Sequence, residues 1–313
     1  MKNQAAIKKT IKSLFVSTAL KQDRSLYLMF LPVFLYYFVF CYIPMAGIIL
    51  AFKEFSPRLG IFGSEWIGFR HFTEFFTGPK FFNVLWNTLR INIMNLIFGF
   101  PAPIILALML NEMKSRTLKR CIQTVTYMPH FISLVVAVGL ILDFTKRTGI
   151  VNNIIVMLGG ERTAFMSESD FFTPIYVISG IWQEVGWGSI IYLAALSGIN
   201  MDLYEAASID GAGRWRKMIS ITLPGIMPTM VIMLILRMGQ MMSLGSEKII
   251  LMYNDLIMDK ADVISSYVYR LAFGTAPDYG FSTAVNLFNT VINVILLVSA
   301  NHISNKMSEV SLW

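Results

Sequence analysis

Six runs of predominantly apolar residues, at about 26–52, 84–110, 122–144, 171–196, 226–246 and 283–304, take up most of the chain. Each is long enough to cross about 30 Å of hydrocarbon as a helix. Few folds remain open to such a chain, because in a bilayer every backbone N–H and C=O of a lipid-facing segment must be satisfied without water. The expected fold class is all-α, a polytopic membrane protein with six transmembrane helices in one domain over 25–313. Composition agrees, with 55% hydrophobic and 14% charged residues where soluble domains carry about 25% charged.

Residues 1–24 hold Lys2, Lys8, Lys9, Lys12, Lys21 and Arg24, while Ile7, Ile11, Leu14 and Phe15 recur at helical spacing. That is the pattern of an amphipathic basic segment lying among membrane lipids at the headgroup level. A signal peptide is the competing reading, but its apolar part, LFVSTAL, is short and is followed by Lys21 and Arg24 instead of a small-residue cleavage site. With this end inside, the segments on its side collect 14 Lys and Arg against 6 acids, and the opposite loops 10 against 11. The positive-inside rule therefore puts both termini in the cytoplasm. The net charge of +7 sorts by membrane side, and no basic patch interleaved with aromatics points to nucleic acid. Cys41 and Cys121 lie in or beside apolar runs without the spacing of metal ligands.

Polar side chains inside hydrocarbon are costly unless paired, so they mark candidate sites. The second run carries Asn87, Arg90, Asn92 and Asn95; the third has Pro129 and His130 toward its cytoplasmic end and Asp143 toward its outer end. The fourth places Trp182, Gln183, Glu184, Trp187 and Tyr192 within about three turns, with Gly186 and Gly188 permitting close helix approach. Arg237 and Gln240 follow in the fifth, and Asn286, Asn289 and Asn293 share one face of the sixth. A face of amides suits hydrogen bonding to hydroxyls, and indoles suit stacking on the C–H faces of a sugar ring. Taken singly, each residue is as well read as interhelical glue of about 0.6 kcal/mol. Taken together, Asn92, Asn95, Trp182, Gln183, Glu184, Trp187, Tyr192, Gln240, Asn286, Asn289 and Asn293 outline a polar substrate pathway. Arg90 and Arg237 are candidates to pair with Asp143 and Glu184 as buried ions, and His130 reads as a structural group at a helix kink. Outside, Trp66, Phe69, Phe72, Phe75 and Phe76 read as an interfacial anchoring belt, with a partner-docking surface as the alternative. The chain has no HExxH or GxSxG motif and no phosphate-binding G-x-x-x-x-G-K-[ST] loop, so ATP hydrolysis needs a separate subunit.

Between the fourth and fifth runs, residues 200–226 read NMDLYEAASIDGAGRWRKMISITLPGI. Asp202 and Glu205 have the spacing of a carboxylate N-cap and its N3 partner. Gly211-Ala212-Gly213 offers a reversal through positive φ, after which Arg214 to Leu223 form a second short helix closed off by Pro224. The expected result is a helix-turn-helix elbow at the cytoplasmic surface.

Glu205-Ala206-Ala207, Asp210-Gly211-Ala212 and Ile221-Thr222-Leu223-Pro224 match the EAA loop of permease subunits of bacterial type I ABC importers. With Leu203-Tyr204 ahead of it, the segment most resembles the carbohydrate-importer branch. Trp66-Ile67-Gly68-Phe69 with His71-Phe72 resembles that branch's W-x-G-x-x-N-F segment, His71 standing where Asn is usual, and Asn87-Thr88-Leu89 resembles its N-T-L. Ser311-Leu312-Trp313 resembles the end of the LplB-like oligosaccharide group. The resemblance implies the type I ABC importer permease fold, with the first elbow helix as a cytoplasmic coupling helix seated in a groove of an ABC ATPase dimer. It assigns that coupling to Tyr204, Glu205, Ala206, Ala207, Asp210, Gly211 and Ala212. Glu205 would pair with a basic residue of the ATPase, Ala206 and Ala207 would pack closely, and Gly211 would make the bend.

The same resemblance implies a second homologous permease subunit, an external solute-binding lipoprotein and a sugar or oligosaccharide substrate, at the bacterial cytoplasmic membrane. No cofactor is expected in this chain, since ATP and Mg are used by the ATPase. Arg214, Arg216 and Lys217 read as lipid-headgroup contacts. Two rivals are a permease for another solute, such as peptide, and a secondary transporter using Asp143, Glu184 or His130 as a proton relay. No repeated halves of the kind common in secondary transporters are detectable.

Overall fold

A computed structural model describes residues 24–308; residues 1–23 of the basic segment and the closing Ser311-Leu312-Trp313 lie outside the described residues. Among the described residues, four helices have the length and hydropathy to cross a membrane: α1 (Arg24–Phe52), α3 (Phe81–Glu112), α9 (Arg214–Met238) and α12 (Tyr279–Ser308). The chain between α1 and α3 carries a two-stranded ribbon of β1 (Lys53–Glu54) and β2 (Glu65–Trp66), then the short α2 (Arg70–Thr77). The third apolar run is not one straight span. It is broken between α4 (Arg116–Phe131) and α5 (Leu134–Thr145), and a bend of 104° separates α4 from the stretch after the break. Pro129 lies at that break, where its missing N–H ends the α-helical ladder and a 3₁₀ turn takes over at Met128–Phe131. The fourth run becomes α7 (Ser169–Ser197), whose 29 residues reach about 43 Å at 1.5 Å per residue. Its Gln183 and Glu184 account for its lower apolarity.

Prolines shape the long helices in a consistent way. Pro44, Pro101 and Pro224 each stand two residues past the end of a π turn, at Phe38–Tyr42, Asn95–Gly99 and Met218–Thr222. A proline ring clashes with the carbonyl four residues back and offers that carbonyl no N–H, and one extra residue in the preceding turn relieves both problems. Pro224 therefore does not close a second elbow helix: the chain runs on through it, and the segment expected to stop at Leu223 is the first part of α9. The fifth span ends at Met238, earlier than the apolar run. Residues 239–245 turn, and α10 (Ser246–Met252) and α11 (Ile264–Phe273) fold back over the bundle before α12.

Packing centres on α7. Ile104, Ala107, Tyr192, Leu196 and Ile226 form one buried cluster with α3 and α9, and Ile91, Phe172, Tyr176, Val177 and Ile249 form another nearer α10. A β-carbon at Gly188 would stand 3.2 Å from Cβ of Pro103, and one at Gly239 would stand 2.7 Å from Leu297 Cδ1, so small residues set the helix separations. By contrast, Arg24–Tyr37 of α1 buries no side chain, which leaves this stretch to lipid or a partner. The belt expected around residues 66–76 is divided: Trp66 and Phe69 are exposed, whereas Phe75 is buried against Phe81, Tyr267 and Phe288.

At the α7 end that carries Ser169, the N-T-L segment acts as a clamp. Asn87 Nδ2 donates to the carbonyls of Asp259 and Asp262 at 2.8 and 2.9 Å, and Thr88 Oγ1 accepts from the Ile264 N–H at 3.0 Å. Arg90 Nη2 donates to the Lys260 carbonyl at 2.9 Å. Arg270 grips the buried Asp262 with both guanidinium nitrogens, at 2.9 and 2.5 Å, and Ser266 Oγ donates to the same carboxylate at 2.7 Å. Lys260 meets Asp170, and that hydrogen bond and the positive charge of Lys260 hold the exposed Asp170 carboxyl below its usual range. His71 is buried, its Nε2 3.2 Å from the Lys53 carbonyl, which ties α2 to β1.

Candidate functional site

Two features stand apart from ordinary helix packing: the elbow over residues 200–226 and a cavity beside α7. At the elbow, α8 (Met201–Ile209) starts at Asn200 and not at Asp202. Asn200 Oδ1 accepts from the Asp202 N–H at 3.0 Å, so Asp202 sits in the first helical turn, where its charge meets the positive end of the helix. The sequence reading placed the cap two residues late because it favoured the D-x-x-E spacing over an equally good asparagine. The helix ends in a Schellman arrangement, with the Ala212 N–H on the Ala207 carbonyl at 2.9 Å and the Gly211 N–H on Ser208 at 3.1 Å. Gly211 is the residue at positive φ, +74°; Gly213 stays at −69° and is not part of the reversal.

Two side-chain bridges brace the elbow. The Tyr204 hydroxyl and Thr222 Oγ1 share a hydrogen bond at 2.9 Å, joining α8 to the π turn of α9, where Thr222 is buried. Lys217 Nζ donates to Ser208 Oγ at 2.5 Å, so this lysine ties the two arms of the elbow together. Tyr204 is half-buried, while Glu205 and Ala206 are exposed beside Met201, Leu203 and Ile209. Ala207, Asp210 and Ala212 border a small cleft of about 230 Å³ with Arg216 and Lys217. The result is a short, fixed helix whose exposed surface sets Glu205 among apolar side chains, with Asp202 at its first turn.

The cavity, of about 480 Å³, runs along α7 from Tyr176 to Tyr192 and is closed in by α3, α9 and α10. That volume is in the range of small-molecule sites. Of the expected pathway residues it brings together Asn95, Gln183, Glu184, Trp187 and Tyr192. Arg237 lines it too. Tyr176 and Lys248 line it as well, and the sequence reading did not find them: Lys248 lies past the fifth apolar run, and only the turn at 239–245 returns it to membrane depth. The GSEKIILM context, a lone lysine leading an apolar stretch after a glycine, was the available signal.

Other expected pathway residues do different work. Asn92 Nδ2 donates to the Thr88 carbonyl within α3, and Asn293 accepts from the Met242 N–H and donates to Ser243, so both serve as helix contacts. Asn289 is buried, while Asn286, Gln240 and Trp182 are exposed and outside the cavity lining. The proposed pairing of Arg90 and Arg237 with Asp143 and Glu184 does not form. Asp143 pairs with Lys146, and Glu184 Oε2 lies 3.0 Å from His130 Nδ1. His130 in turn lies flat on Trp187, ring centroids 4.5 Å apart at 2°, so one face of that indole is already covered.

Comparison with known proteins places this geometry in context. Residues 99–309 match the family described as "Binding-protein-dependent transport system inner membrane component". Protein LplB of Bacillus subtilis (strain 168) is 45% identical over 100% of the chain and 98% of its own length. The polygalacturonan/rhamnogalacturonan transport system permease protein YteP of the same organism is 42% identical over 93% of the chain and 91% of its own. Among solved structures, a bacterial alginate ABC transporter in complex with alginate pentasaccharide-bound periplasmic protein superposes with a TM-score of 0.87 at 40% identity, covering 94% of this chain and 99% of that one.

Proposed function

The chain belongs to the family of binding-protein-dependent transport system inner membrane components, the multi-pass, non-catalytic permeases of ABC importers, and from that premise we propose that it forms half of the translocation pathway of an ATP-driven oligosaccharide importer. The observation that carries the reading is the pairing of a braced, outward-facing α8 with a polar cavity on the helix that leads directly into it. Glu205, exposed among Met201, Leu203 and Ile209, is the group that meets a basic residue of a cytoplasmic ATPase dimer, with Ala206 and Ala207 allowing close approach. Asp210, Gly211 and Ala212 fix the turn behind it. ATP and Mg are used in that ATPase.

A second, homologous permease completes the pathway across the face that holds Trp187 and the cavity mouth. A solute-binding lipoprotein delivers the sugar from outside, in keeping with the periplasmic protein of the alginate importer complex. Both termini and the elbow lie in the cytoplasm, the side where the excess of basic residues falls. The amides of Asn95 and Gln183 and the open face of Trp187 suit a hydroxyl-rich solute better than a bare inorganic anion.

The test is ATP-dependent accumulation of labelled oligosaccharide in right-side-out vesicles carrying the whole importer. Glu205→Ala abolishes uptake and leaves membrane insertion intact. Normal accumulation by that variant, or uptake in vesicles lacking the ATPase, overturns the reading.

A further inference from the structure

The cavity holds more positive charge than its neighbours neutralise. Lys248 is buried, 8% exposed; its Nζ donates to the Tyr176 carbonyl at 3.0 Å and stands 4.5 Å from the centroid of the Tyr176 ring. Those contacts give the ammonium one acceptor and a π face without cancelling its charge. Arg237, in the last turn of α9, opens on the same space and is paired with no carboxylate among the described residues. Glu184 is the one carboxylate in the lining, and His130 already engages it. The remaining titratable groups there, Tyr176 and Tyr192, are phenols. Two cations thus face one carboxylate, leaving positive charge in excess.

A buried ammonium in no ion-pair contact is costly in a low-dielectric site; Glu184 of the same lining offsets only part of the positive charge, and an anionic ligand offsets the rest. We propose that the solute accepted by this cavity is an anionic oligosaccharide of the uronate type, its carboxylates drawn to Lys248 and Arg237 while its hydroxyls meet Asn95 and Gln183. The proposal rests on the importer reading above and adds the charge class of the sugar. Glu184 and its histidine partner then act against a second acidic group at the Trp187 end, so the cavity selects where along its length the negative charge sits.

The experiment measures calorimetric binding to the assembled importer in nanodiscs, with the binding protein left out so that its own selectivity does not intervene. The probes are tetragalacturonate, its full methyl ester and maltotetraose. Tetragalacturonate is expected to bind about tenfold more tightly than the ester or more, a gap of about 1.4 kcal/mol. Added salt narrows the gap. Arg237→Gln, at an exposed position, and Lys248→Met, at a buried one, each reduce it; the first variant keeps the test sound if the second does not assemble. Equal binding of acid and ester, or a gap that survives Arg237→Gln, overturns the proposal. If neutral maltotetraose is bound as tightly as tetragalacturonate, and the importer supplied with its binding protein carries it in an ATP-dependent way, the importer reading stands while the charge class falls. If no oligosaccharide of either charge is bound or carried, both fall together.

Discussion

Gly186 of α7 packs against the backbone of α4 so closely that a β-carbon there would stand 2.1 Å from the carbonyl oxygen of Thr126. No side-chain rotation relieves a clash with backbone, so the two helices hold their separation only while residue 186 lacks a β-carbon. Gly186→Ala forces the helices apart, at a cost of about 1–3 kcal/mol for overpacking and more if the α4 backbone cannot shift. The detergent-solubilised protein is expected to show a clearly lower apparent melting temperature and a changed environment at Trp187, the next residue. An unchanged melting temperature contradicts so close a contact.

The Asp262–Arg270 pair gives a second expectation. Asp262 is 1% exposed and is held by two guanidinium nitrogens and by Ser266, so Asp262→Ala strands a half-buried arginine. Breaking one side of a buried pair costs about 3–5 kcal/mol, whereas replacing both partners with apolar groups is often close to neutral. Asp262→Ala should therefore be far less stable in thermal unfolding than Asp262→Leu combined with Arg270→Leu. Equal losses for the two indicate that the pair contributes nothing beyond packing.

Much of this was legible in the sequence because the bilayer imposes a simple rule: long apolar runs become helices, and glycine beside them marks close approach. The runs, Gly186, Gly188 and the elbow were found that way. What the rule does not reveal is where a chain leaves and re-enters the bundle. Lys248 escaped because periodicity does not show that residues 239–245 turn and carry it back beside Tyr176. Pro224 was misread because a stop signal and a proline after a π turn look alike in one dimension. Asn286, Asn289 and Asn293 share a helical face in the sequence, and a face says nothing about whether a neighbouring helix or a solute lies opposite.

Gly211 offers a test of backbone geometry with few confounding contacts. It sits at φ +74°, and an added β-carbon there meets no atom within 4 Å, so substitution acts only through conformation. Gly211→Ala is expected to destabilise the α8 terminus by about 1 kcal/mol, and Gly211→Asn by less, because asparagine tolerates the left-handed region better. Uptake by the assembled importer should fall in the order Gly, Asn, Ala. Greater loss with asparagine than with alanine rules out φ as the controlling variable.

Tyr204 and Thr222 bear on how motion reaches the spans. Their hydrogen bond at 2.9 Å is, with that of Lys217 to Ser208, one of two side-chain ties through which a tilt of α8 is expected to pull directly on α9, since the covalent path goes the long way round through Gly211. Tyr204→Phe keeps the ring and removes the hydroxyl, which leaves Thr222 its longer contact to the Lys217 carbonyl at 3.4 Å. The stability cost is that of one hydrogen bond, about 1 kcal/mol, so insertion and assembly are expected to persist. Coupling should suffer more than folding: ATP-driven uptake drops severalfold while ATP hydrolysis by the assembled importer is largely kept. Thr222→Val has the same effect, and the double substitution is no worse than either alone, as for two groups acting through one contact. Losses that add between the two variants place their roles in separate contacts, and full uptake by Tyr204→Phe shows that α8 drives the spans without this hydrogen bond.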